Sequence, residues 1–79
     1  MDRKIREPIN HPDHYGGEDD PYEAIKVIKA WRLGFLLGNV VKYIARAGKK
    51  STDPVEDLKK ARWYLDEAVK WAEEGRQIL

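Results

Sequence analysis

The 79-residue sequence contains no cysteine. Disulfides, which often support domains of this size, are therefore excluded, as are thiolate metal sites and cysteine nucleophiles. Long apolar runs are missing too. None approaches the roughly 20 residues needed to cross a bilayer, and the charged N-terminus lacks the apolar core of a leader peptide. No stretch alternates between apolar and polar with period two, so no sheet is expected. The four prolines and five of the six glycines lie in the N-terminal segment or at segment boundaries, and Gly38 alone falls within a periodic stretch.

The most informative shortage is local. Residues 24–52 carry seven basic side chains, Lys26, Lys29, Arg32, Lys42, Arg46, Lys49 and Lys50, and no acid. Residues 1–23 hold seven acids and three bases, and residues 53–79 hold seven acids and five bases. Net charge is only +1, so the charge is segregated rather than abundant. A segment of this kind attracts anions. The alternative is a solvated face that pairs with the acidic flanks. A pI near 8.0 lies below the balance expected of a dedicated nucleic-acid binder.

What is present reads as an all-α, three-helix domain over residues 20–79, preceded by an extended arm over residues 1–19. Pro8, Pro12, Gly16 and Gly17 forbid a regular helix in the arm. Asp20-Pro21-Tyr22-Glu23 predicts the start of a first helix, with Asp20 as N-cap, Pro21 in the first turn and Glu23 closing a capping box. That helix should end by Gly34. A second helix is expected over residues 36–47, with Gly48 just past its end. Asp53-Pro54-Val55-Glu56 repeats the first signal and opens a third helix, expected to run to Glu74 and stop at Gly75.

Helical periodicity divides the second helix into two faces. Leu37, Val40, Val41 and Ile44 form an apolar face, expected to be the core. Asn39, Lys42, Tyr43 and Arg46 share the opposite face and are expected to point outward. Two cations, an amide and a phenol without an acid can hold a phosphate and pack a ring, and Lys49 follows nearby. On the third helix, Leu58, Ala61, Leu65, Ala68, Val69 and Ala72 make a broad core arc. Trp63, Tyr64 and Trp71 fall outside it. Three helices cannot easily cover all three rings, so they are expected to form a self-association surface. A base-stacking platform is the alternative.

Tests for known chemistry narrow the options. The phosphate loop G-x-x-x-x-G-K-[ST] is absent, because the position five before Gly48 is Tyr43 where glycine is required. His11 and His14, flanking Asp13, are too few for a metal site, and no metal is expected. They are candidates for proton transfer or phosphate hydrogen bonding, or they simply anchor the arm. Asp57 is a third candidate catalytic group, with a salt bridge to Lys42 or Arg46 as the alternative. The paired acidic helix motifs of all-α nucleotide pyrophosphohydrolases are not clearly present.

Three blocks carry a resemblance. They are Asn10-His11-Pro12-Asp13-His14-Tyr15, then Leu37-Gly38-Asn39-Val40-Val41-Lys42-Tyr43-Ile44-Ala45-Arg46-Ala47-Gly48-Lys49-Lys50, then Glu56-Asp57-Leu58-Lys59-Lys60-Ala61-Arg62-Trp63-Tyr64-Leu65. Together they resemble the SaV-like family of bacteriophage proteins, a domain of unknown function similar to part of a coliphage nucleotide kinase. The resemblance implies a phage protein in the host cytoplasm that binds a nucleotide. It also implies phosphoryl transfer to a deoxynucleoside monophosphate, with ATP as donor. Two other readings stay open: sequestration of a nucleotide without turnover, and a module that docks a host partner. A homo-oligomer is expected in each case, since 79 residues are few for two nucleotide sites.

Overall fold

A computed structural model describes His11, residues 13–50 and residues 53–79. The expected arm falls mostly on residues 1–10, outside the described residues. Within the described part, a 3-10 turn spans Asp13–Tyr15, followed by helices α1 (Ala24–Ala30), α2 (Phe35–Arg46) and α3 (Val55–Glu73). Helix and turn account for every regular element among the described residues, so the all-α reading holds. No described helix is long and apolar enough to cross a membrane.

Helices α2 and α3 form an antiparallel hairpin that dominates the packing. Arg46, at the end of α2, pairs with Asp57 near the start of α3. Phe35, at the start of α2, packs its ring against Tyr64 farther along α3. The α3 residues facing α2 are Asp57, Ala61, Tyr64, Ala68 and Trp71, alternating steps of four and three. Ala61 and Ala68 are buried, and their small side chains let the helices approach closely. The 3-10 turn and α1 both lie against α2.

The first helix starts later than its sequence signal predicts. Asp20 Oδ1 accepts the Tyr22 N–H at 2.8 Å, which makes a turn rather than a helix cap. Glu23 is extended at φ −51° and ψ 138°, so α1 begins only at Ala24. The expected capping box is absent because the Glu23 side chain is used elsewhere. It is 1% exposed and lies 2.7 Å from His11 Nδ1. Lys26 Nζ approaches its other oxygen at 3.5 Å. The same ammonium donates to the backbone carbonyls of Glu18 and of Asp20.

The helix ends are built alike from different residues. After α3, Gly75 has φ 76°, the Gly75 N–H bonds to Ala72 O and the Arg76 N–H to Trp71 O. This is a Schellman motif, which needs a left-handed residue. After α1, Arg32 N–H bonds to Lys29 O and Leu33 N–H to Ile28 O, and Arg32 itself holds φ 56°. Gly34 is therefore not the stop of α1. It is the N-cap of α2.

The helical faces correct the expected core. Among the described residues, the buried hydrophobics are Ala24, Leu36, Ala61 and Ala68. Of the predicted apolar face of α2, Leu37, Val40 and Val41 are half-buried and Ile44 is exposed. The predicted polar face, Asn39, Lys42, Tyr43 and Arg46, is half-buried, and its Tyr43 and Arg46 reach α3. Tyr43 and Arg46, expected to point outward, thus meet Tyr64 and Asp57 of α3.

Candidate anion-binding site

Tyr43 is the centre of the cluster. Its ring stacks on Tyr64 of α3 with centroids 5.9 Å apart and planes 12° apart. Lys42 Nζ lies 5.0 Å from the Tyr43 centroid, the Arg46 guanidinium carbon 5.3 Å and Lys60 Nζ 5.5 Å. All three distances fall within cation–π range. Phe35 and Trp63 each meet Tyr64 edge-on, with centroids 5.8 Å and 5.0 Å away. Two helices thus bring three cations and four aromatic rings together.

The cations differ in their freedom. Arg46 Nε donates to Asp57 Oδ1 at 3.0 Å, and Arg46 Nη1 donates to the Tyr15 hydroxyl at 3.2 Å. The Arg46 and Asp57 side chains are only 14% and 5% exposed. The Tyr15 hydrogen bond, and with it the Asp57 carboxylate, raises the already high pKa of Arg46. Its position and charge are therefore fixed. Lys42 and Lys60 have no carboxylate partner among the described residues. The contact that both share among those residues is the Tyr43 ring.

His14 sits at the edge of this cluster. Its ring is 4.2 Å from that of Tyr15. Burial lowers its pKa below 6.5, and the positive charges of Arg46 and Lys50 lower it further. The imidazole is thus neutral at pH 7, able to accept one hydrogen bond and donate another.

The candidate residues separate accordingly. Lys42, Tyr43 and Arg46 come together as the periodicity predicts, though facing α3 rather than solvent. Asn39 donates its amide to Phe35 O at 2.8 Å, one turn back on its own helix. Lys49 is exposed past the end of α2. Asp57 holds Arg46, which is the salt-bridge alternative. His11 is bonded to Glu23 at the start of α1, while His14 lies by Arg46, so the two histidines serve different neighbourhoods. Among the described residues no cluster of three or more metal-binding side chains occurs. Tyr64 and Trp71 are half-buried, with the Arg76 guanidinium 4.4 Å from the Trp71 ring centre. Trp63 stays 58% exposed. Lys60 was missed as a site residue, yet its place three after Asp57 and four before Tyr64 puts it beside both on α3.

Fold and site together define a small all-α domain that presents a cationic aromatic cluster on a helical hairpin. The chain belongs to the family described as a protein of unknown function, DUF3310, whose model matches residues 9–66. That stretch contains every residue of the cluster. The chain is also similar to the Gene 1.7 protein of Enterobacteria phage T3, with 44% identity over 71 residues and 80% of this chain covered. The chain spans 42% of that relative's length. No solved structure matches it.

Proposed function

We propose that the domain binds a nucleotide, with its phosphates on Lys42 and Lys60 and its base against the exposed rings of Trp63 and Phe35. The observation that carries this reading is the convergence of three cations on the Tyr43 ring, of which only Arg46 is ion-paired among the described residues. Like charges held together repel one another, and a bound anion relieves that repulsion. Stacking of a base on an aromatic side chain contributes about 1–3 kcal/mol.

Phosphoryl transfer from ATP to a deoxynucleoside monophosphate is the finer reading. It is favoured by the double anchoring of Arg46, because a cation held in advance stabilises transferring charge without reorganising. The acceptor oxygen of a monophosphate is already anionic, so this transfer needs no general base. The work therefore falls to the cations rather than to His11 or His14, and Asp57 acts by holding Arg46.

Calorimetric titration with mono- and triphosphate nucleotides tests binding. Lys42→Ala with Lys60→Ala should abolish the heat of binding while helical circular dichroism is kept. Unchanged affinity in that variant would remove the site. Radiolabel transfer from ATP to a deoxynucleoside monophosphate then separates a kinase from a nucleotide-sequestering protein.

A further inference from the structure

The hairpin has a second surface, which the nucleotide reading does not use. Val55, Leu58, Arg62, Leu65, Val69 and Ala72 of α3 follow one another in alternating steps of three and four. This is the spacing of a coiled-coil seam. All six are exposed, with Leu58, Leu65 and Val69 at 49%, 46% and 48%. The seam is separate from the one facing α2. Helix α3 therefore carries two seams, and only one is filled by its own chain among the described residues. Among the described residues the fully buried hydrophobics, three alanines and a leucine, make a small core.

The charges along the outer edge of this stripe identify its occupant. From the N-terminal to the C-terminal half of α3 they read Lys59, Arg62, Asp66, Glu73. None has an ion-pair partner among the described residues, whereas nearby Lys70 is paired with Glu67 and Arg76 with Glu74. In an antiparallel pair of identical helices, an edge meets its own copy in reverse order. Lys59 and Arg62 of one chain then face Glu73 and Asp66 of the other.

We propose that a second copy of this chain docks on the stripe, antiparallel, about a two-fold axis near Leu65. Leu65 then meets its own copy, and Leu58 meets Ala72 of the other chain. Such an isologous contact closes on itself. It leaves Lys42, Lys60 and Trp63 outside the seam, since these lie on other faces of the hairpin.

Sedimentation equilibrium of the full chain measures the association. Leu65→Glu with Val69→Glu should give a monomer with unchanged helical circular dichroism. Lys59→Glu with Arg62→Glu should weaken association about tenfold or more, as should Asp66→Lys with Glu73→Lys. All four changes on one chain should restore it. The absence of native cysteine makes cross-linking clean: mixed Leu58→Cys and Ala72→Cys chains should form a heterodimer disulfide. A monomeric wild type would overturn the proposal, as would association indifferent to the charge variants. Preferential linkage of Leu58→Cys chains to each other would overturn the antiparallel arrangement. Should the double glutamate variant unfold, the charge-reversal set still decides, because those four residues are exposed.

Discussion

Helix α3 offers two seams of the same spacing and opposite chemistry. The one facing α2 joins a buried carboxylate, two alanines and two aromatic rings. The other is aliphatic apart from Arg62, and among the described residues nothing covers it. The polar seam is the one that holds the fold, because Asp57, Tyr64 and Trp71 each find a partner in the chain. Hydrophobicity alone would rank the two seams the other way. Partners within reach, rather than apolar content, decide which face of a helix is buried in so short a protein.

The largest break in that contrast is Arg46→Met. It leaves the Asp57 carboxylate buried without a cation and should cost about 3 kcal/mol. For a domain of this size the thermal midpoint should fall by more than about 10 °C, read by circular dichroism. A loss under about 1 kcal/mol would mean that the pair is solvated in solution.

A paired substitution sharpens the comparison. Tyr64→Leu keeps an apolar side chain but removes the ring that meets Tyr43, Phe35 and Trp63. It should cost about 1–2 kcal/mol. Leu65→Gln, one residue on, should change the stability of the isolated chain by less than about 0.5 kcal/mol. Denaturant titration at low protein concentration distinguishes them, and equal losses would erase the distinction between the seams.

The smallest effect is a pH dependence. Folding lowers the pKa of His14 from 6.5, so the unfolded chain takes the proton first on acidification. The stability this group contributes is complete above 6.5 and is lost as pH falls through the lowered value. Acidification from about pH 7.5 to about 5.5 should therefore lower the midpoint slightly, and His14→Gln should reduce that fall. An identical slope in the variant would show that His14 plays no part.

Much of this arrangement was legible in the sequence, and the gaps have local causes. The two Asp-Pro-x-Glu signals show one of them. Asp53 Oδ1 accepts the Val55 N–H at 2.9 Å, and Pro54 is already helical, so α3 starts where expected. Asp20 makes the same bond two residues ahead, yet no helix follows at once. The difference lies in the glutamate. Glu56 is exposed, whereas Glu23 is drawn into the interior toward His11, a partner twelve residues away. A local signal carries no trace of that distant contact. The site behaved similarly: spacing placed Lys42, Tyr43 and Arg46 on one face, but only the packing of α3 adds Lys60 and turns the face inward.

Lys26 plays a part in the loop before α1 that a bound ion could otherwise fill. Its ammonium satisfies two backbone carbonyls and lies beside a buried carboxylate, much as sodium or calcium would in a loop of this shape. The loop thus carries its own tethered counter-ion. Trimming Lys26 to alanine would leave those two carbonyls and the Glu23 carboxylate without the ammonium that joins them.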